Sequence, residues 1–339
     1  MRIYLLQHDM PSLRREFELV KQPAYRANQL ADWVYKKGVF DTTGMTNVPA
    51  VIRDSVTIMD TRVVERLDSK DGTIKLLVEL SDGHAVETVF IPSPKSVAAC
   101  VSSQAGCAMG CRFCASAIGG FKRNLRSDEI IQQVLHLWRE SGTKPTHVVF
   151  MGMGEPLMNL EQCVAAVRSL IDPDRFNISA RHVTVSTAGL PDGIRQLAAT
   201  HLPITLAISL HAPNDALRKK IMPLANKHSL DDVLAAAEAF YESRHREITL
   251  EYLLLAGFND TNVCAEGLAR IANRLRCNVN VIVYNPVDHL EFTSPSPAQA
   301  AEFVKRLRSR GVNAHLRASR GGDTQAACGQ LRLRSGAAQ

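Results

Sequence analysis

Four of the chain's eight cysteines fall in one stretch, CVSSQAGCAMGCRFC at 100–114. Cys107, Cys111 and Cys114 are spaced C-x3-C-x2-C, and Gly106 and Gly110 leave the loop free to wrap around an object. Three thiolates from one short loop can hold three irons of a 4Fe-4S cluster, whose full protein ligation takes four, so one iron stays open to a ligand. Zinc is the rival, because soft thiolates suit it too. A closed zinc site wants a fourth ligand, which Cys100 could supply, and usually two separated ligand pairs. Spacing alone favours the cluster and leaves zinc open. Cys163, Cys264 and Cys277 lie on or beside amphipathic segments and read as packing residues. Cys328 stands alone near the end of the chain, where a lone thiol is more often inert than reactive.

Other chemistry-bearing residues recur at the ends of β-branched runs. FMGMGEP carries Gly154 and Glu155, where glycine permits close approach of a ligand to the backbone. Ser186 in VTVSTAG, Ser209, Leu210 and His211 in AISLHAP, and Asn285 in VYNP follow the same placement. Each alone reads equally as a cap or a turn former. Glu87 in HAVETVFIP alternates with apolar neighbours, the ordinary pattern of a glutamate on the wet side of a strand.

The elements that must position these residues are legible from about residue 96 onward. Seven β-branched runs, near 95–103, 147–152, 181–188, 204–211, 247–255, 278–285 and 312–318, alternate with six segments of helical period. That is the pattern of βα units on a parallel sheet. Six units are fewer than the eight of a closed barrel, so the expected class is α/β, a partial (β/α)6 barrel at 93–320 with its site in the loops after the strand C-terminal ends. Residues 1–92 read as a small α+β accessory domain and a candidate RNA contact. Helices are expected around 22–38 and 48–59, then strands turning at Asp71-Gly72 and Asp82-Gly83. Residues 321–339 form a C-terminal loop rich in glycine, with a frayed end at 334–339.

The chain has 339 residues, 45% of them hydrophobic and 22% charged, which is ordinary for a globular protein with a sizeable core. No signal-like N-terminus and no run near the roughly 18 to 20 apolar residues of a membrane span is present in the sequence, so a cytoplasmic location and no membrane partner are expected. In a reducing compartment a cysteine cluster points to metal or catalysis rather than to a disulfide framework. The formal charge of +6 permits a nucleic-acid partner without choosing one. Basic clusters at 122–126, 218–220, 305–308 and at Arg332 and Arg334 are expected to be at least half solvated helix faces.

Taken in order, CVSSQAGCAMGCRFCASAIGGFKRNL, MGMGEPLMN, VTVSTAG, AISLHAPN, YNP and AACGQL resemble the RlmN/Cfr family of radical S-adenosylmethionine (SAM) RNA adenosine methyltransferases. The resemblance covers nearly the whole chain, including YRANQLADWVYKKG and GMTNVP. It implies one 4Fe-4S cluster on Cys107, Cys111 and Cys114, and SAM contacts from Gly154, Glu155, Ser186, Ser209, Leu210, His211 and Asn285. It also implies that Cys328 is a methyl carrier, that Cys100 is its partner in a disulfide, and that Glu87 is a proton acceptor. Two SAM molecules would serve each turnover. One methylates Cys328, and the other yields a 5'-deoxyadenosyl radical that activates that methyl for addition to adenine. The product is expected at carbon 2 of a 23S rRNA adenosine, with tRNA as a second substrate and carbon 8 as the alternative. A flavodoxin-type electron donor and a monomer are expected. Two rivals remain, a zinc module in an RNA-binding protein and a radical SAM enzyme of other chemistry, which would leave Cys328 without a task.

Overall fold

The structure, a computed structural model, describes residues 2–288 and 290–332. The frayed end expected at 334–339, with Arg334, lies outside the described residues. The chain opens with β1 (Ile3–Tyr4), α1 (Met10–Leu19), α2 (Tyr25–Ala31) and α3 (Ala50–Arg53), and β2 (Val56–Thr57) returns to pair parallel with β1. Helix α1 begins where Asp9 accepts from the Ser12 N–H and Pro11 occupies the first turn, a start signal that the sequence analysis passed over. The helix expected through 48–59 stops at Arg53, because Val56 and Thr57 are β-branched and find a strand partner.

Next come β3 (Arg62–Asp68), β4 (Ile74–Glu79), β5 (Ala85–Pro92) and β6 (Val97–Cys100), then a two-stranded ribbon of β7 (Gln104–Gly106) and β8 (Phe121–Asn124). The βα units follow as α4 (Ser127–Ser141), β9 (His147–Phe150), α5 (Leu160–Ile171), β10 (Val183–Thr187), α6 (Pro191–Ala199) and β11 (Thr205–Ser209). The last are α7 (Asp215–Ile221), α8 (Leu230–Arg244), β12 (Ile248–Leu254), α9 (Asn262–Leu275), β13 (Asn278–Val283), α10 (Pro297–Arg308) and β14 (Ala314–Arg317).

One ten-stranded sheet runs in the order β14-β13-β12-β11-β10-β9-β6-β5-β4-β3. From β6 to β14 every neighbouring pair is parallel, which gives the open (β/α) barrel with its helical crossovers. Strands β3 to β5 are antiparallel, and β5 hydrogen-bonds directly to β6, so the sheet continues across residue 92. The expected turns are present, with Gly72 and Gly83 at φ of 82° and 84°. Strand β12, third from the β14 edge, is buried nearly throughout, as a parallel strand covered on both faces must be. Cys163, Cys264 and Cys277 belong to the main core. A second apolar cluster, including Phe113, Met222, Leu253 and Tyr284, sits around the cysteine loop.

Candidate active site: a cysteine cavity at the strand C-terminal ends

Cys107 follows β7 directly, and its loop is fixed by backbone bonds from Cys107 N–H to the Gly120 carbonyl (3.2 Å) and from Arg112 N–H to the Ile221 carbonyl (2.9 Å). Gly106 sits at φ 75°, and a Cβ there would collide with the Gly120 carbonyl. The three loop cysteines line one cavity of about 160 Å³ together with Gly154, Glu155, Ser186, Ser209, His211 and Cys328. Burial, reinforced at Cys111 by the other two loop thiols, pushes all three thiols up, Cys107 to about 11. Bound metal reverses that order by taking thiolates outright. Among the described residues no three His, Cys, Asp or Glu side chains converge on a single point. Three thiols spread round a cavity suit a group with several metal atoms, each bound by its own cysteine.

The facing wall comes from the loops after β9, β10 and β11. Gly154 adopts φ 102°, and a Cβ would lie 2.6 Å from Gln104 Cβ and 2.8 Å from its backbone nitrogen, so only glycine fits. Glu155 is buried, and its carboxylate accepts from the Leu157 N–H (3.0 Å) and the Ala188 N–H (2.7 Å), tying two loops together. Burial raises its pKa against those hydrogen bonds. His211, at φ 55°, accepts from the Leu253 N–H through Nδ1 and meets Phe113 edge-on at 4.9 Å. Burial, with the Arg218 charge beside it, lowers its pKa to about 3, so the ring is neutral. Leu210 is fully buried and does not line the cavity; its carbonyl accepts from Arg218 Nε.

Cys328 lies at a junction. It lines the cysteine cavity and also an adjoining pocket that holds Cys100, Asn285 and Arg317. Cys328 is exposed at the mouth of these open spaces, local desolvation of its thiol raises the pKa, and full burial does the same for Cys100 on β6. The segment around Cys328 is stapled on both sides. Ala115 N–H donates to the Gly329 carbonyl (2.7 Å), Ser116 Oγ to the Leu331 carbonyl (2.6 Å), and Lys75 Nζ to the Gln325 carbonyl (3.0 Å).

Glu87 is not on a wet side. Lys75, Val89 and Cys100 stand in one register row across β4, β5 and β6, and Glu87, two residues from Val89, shares that face. Glu87 is 3% exposed, pairs with Lys75 at 3.0 Å, and accepts from the Arg332 N–H at 2.8 Å. It borders neither pocket containing Cys328.

Sequence reasoning missed several residues here. Glu251 on β12 lines the cavity, buried, with Oε1 bonded to Asn280 (2.9 Å) and Oε2 unpartnered. Arg218, read within a solvated basic cluster, is instead wholly buried, with Nη1 unpartnered. A charge inside an apolar strand or a basic helix was the available signal. The cluster at 122–126 is largely neutralised, Arg123 by Asp82 and Glu129, and Arg126 by Asp60, Asp128 and Glu129.

The fold and the three-cysteine cavity define a radical SAM protein, and residues 101–265 match the model of the Radical SAM superfamily. Residues 3–58 match that of the ribosomal RNA large subunit methyltransferase N-terminal domain. The chain is 44% identical to a probable dual-specificity RNA methyltransferase RlmN from Thermosynechococcus vestitus, over 97% of this chain and 98% of that protein. It is also 44% identical to one from Gloeobacter violaceus, over 98% and 95%. A crystal structure of a radical SAM methyltransferase from Sphaerobacter thermophilus superposes with a TM-score of 0.93 at 38% identity, covering 97% of this chain and 99% of that one. The chain belongs to the RlmN family of radical SAM RNA methyltransferases. Membership implies a 4Fe-4S cluster and SAM as its cofactors. Among the described residues no helix is long and apolar enough to cross a membrane.

Proposed function

We propose that this protein methylates carbon 2 of an adenosine in 23S rRNA, and of a tRNA as a second substrate, by relaying the methyl through Cys328. The observation that carries the relay is the junction, where Cys328 faces the three cluster cysteines on one side and Cys100 on the other. The donor set suits the cofactors: three thiols from one loop, facing a wall that carries Gly154, Glu155, Ser186, Ser209 and His211. When bound, the cluster and SAM would supply one-electron chemistry able to remove a hydrogen atom from the methyl group carried by Cys328.

The residues' own tasks follow from their surroundings. Cys107, Cys111 and Cys114 hold the cluster, while Gly154, Glu155, Ser186, Ser209 and His211 orient SAM, one molecule for each of two methyl-handling steps per turnover. Leu210 contributes through packing and Asn285 from the adjoining pocket. Cys328 Sγ, as thiolate, accepts the methyl, and its sulfur then carries the carbon that bonds to adenine. Glu87 takes the ring proton. Lys75 Nζ at 3.0 Å and the Arg332 N–H at 2.8 Å fix the position of the Glu87 carboxylate. Cys100 Sγ, as thiolate, attacks Cys328 Sγ, the sulfur–carbon bond breaks with its electron pair left on carbon, that carbon takes a proton from solvent to become the methyl group, and a disulfide remains for reduction. Residues 1–92 and the tail from 321 frame the RNA, a flavodoxin-type donor supplies electrons, and the protein works as a cytoplasmic monomer. Carbon 8 is the second reading.

The test is mass spectrometry of nucleosides from a 23S rRNA fragment and a tRNA after anaerobic incubation with reconstituted protein, SAM and reductant. 2-Methyladenosine is expected. 8-Methyladenosine, or no methylated nucleoside despite SAM cleavage, would overturn the carbon-2 assignment.

A further inference from the structure

At the opposite end of the sheet, a groove of about 610 Å³ runs between the N-terminal helices and the segments leading into β9 and β10. Lys36, Lys144, Arg175 and His182 line it, and among the described residues no carboxylate does. Arg175 is only 6% exposed, yet its Nε and Nη2 both donate to one neutral partner, the Tyr35 hydroxyl, at 3.1 and 2.7 Å. Among the described residues it makes no ion pair. A guanidinium this buried ordinarily has an anion for company.

Its neighbours repeat the shortage. Lys144 Nζ donates to the Tyr35 carbonyl (2.7 Å) and sits 5.2 Å from the centre of the Trp138 ring, again with no carboxylate. Burial and the Lys36 charge lower its pKa, the signature of cations held together. His182 stacks on His147 at 4.0 Å. Carboxylates lie near the groove without lining it: Asp32 pairs with Lys36 (2.6 Å), Asp174 with Arg14 (3.1 Å), Asp9 accepts from Ser12 and feels the Arg175 charge, and Asp172 lies near the Tyr35 hydroxyl. Asn177 and Ser179 add short polar side chains along the rim.

We propose that this groove binds a phosphate group, and that the phosphate belongs to the RNA backbone. With Nε and Nη2 spent on Tyr35, the Nη1 end of Arg175 and the Lys144 ammonium belong to the lining of one concavity, and a tetrahedral oxyanion can accept from both at once. The groove also joins the helical segment characteristic of the family to the barrel shared by the superfamily, since Tyr35 is bonded by both Lys144 and Arg175. An RNA seated here is gripped far from the adenine being modified. The RNA source rests on the function proposed above; the phosphate site does not.

The experiment uses full-length reconstituted enzyme, wild type and the variants Lys36→Gln, Lys36→Gln/Lys144→Gln and Arg175→Lys. Lys36→Gln removes an exposed side chain and guards against misfolding. RNA affinity is read against salt by anaerobic filter binding, and melting is followed with inorganic phosphate against chloride of equal ionic strength. Weakened RNA binding, with the salt slope reduced by about one per cation removed and methylation at saturating RNA unchanged, supports a backbone phosphate. Unchanged RNA binding, with phosphate raising the melting temperature of wild type but not of the double variant, supports a phosphate site and overturns the RNA source. If neither effect is seen, the site itself is overturned. Phosphate stabilisation would stand even if no RNA were methylated, so the two readings fail separately.

Discussion

The two groups of cysteines at this site are held in opposite ways. Cys107, Cys111 and Cys114 come from one short loop, pinned by its own turn and by Gly120 and Ile221. Cys100 and Cys328 come from distant parts of the chain, one on a buried strand and the other on a segment stapled to the cluster loop, to Lys75 and to Glu87. Local spacing makes a ligand set for something bound permanently, whereas a pair brought together by the fold can change partners during a cycle. The staples on both sides of Cys328 also limit how far it travels. Its thiol already borders both pockets, so a relay needs small motions rather than excursion of a free tail.

Breaking the carrier should have the largest effect. Cys328→Ala is expected to abolish RNA methylation while leaving the brown cluster and its absorbance near 400 nm intact, as read by nucleoside mass spectrometry and spectrophotometry. Loss of the cluster as well would mean that Cys328 belongs with the local set.

Removing the staple's charge should act on stability. Lys75→Met leaves Glu87 buried without its cation, and breaking such a pair costs about 3 to 5 kcal/mol. Urea unfolding should show the loss, and adding Glu87→Leu should restore much of it. If Lys75→Met proved neutral, the tail's anchor would not be this ion pair.

The smallest effect concerns His136 on α4, fully buried against the Thr61 hydroxyl at 2.8 Å and far from the cysteines in the sequence. Burial lowers its pKa from 6.5 to about 3. Its folded-state pKa is depressed, so the unfolded chain binds the extra proton first. The contribution to stability is complete above pH 6.5 and is lost progressively as pH falls towards 3, by about 1 kcal/mol per pH unit. Denaturation midpoints of His136→Gln between pH 7 and pH 4 should fall less steeply than those of the wild type.

Much of this site was legible in the sequence for reasons that now have a geometry. C-x3-C-x2-C is a local pattern, and the parallel strands announced themselves by β-branched runs long enough to be buried on both faces. Gly154 was readable because its positive φ and its contact with Gln104 admit no side chain. What stayed hidden depended on partners far away. Glu87 reads as a wet-side residue until Lys75 arrives across the hairpin, and Arg218 reads as solvated until α7 turns it beneath the loops. Arg175 gives no signal, because its burial against the neutral Tyr35 hydroxyl exists only in three dimensions. The convergence of Cys100 and Cys328 was available through resemblance and not through spacing.

The central claim, that Cys100 resolves a covalent link on Cys328, is tested most directly by one gel. Cys100→Ala enzyme, reconstituted and supplied with SAM, reductant and labelled RNA, should yield RNA that migrates with the protein under denaturing conditions, and a Cys328→Ala/Cys100→Ala double variant should not. RNA that runs free from the Cys100→Ala enzyme while carrying a new methyl would contradict the account.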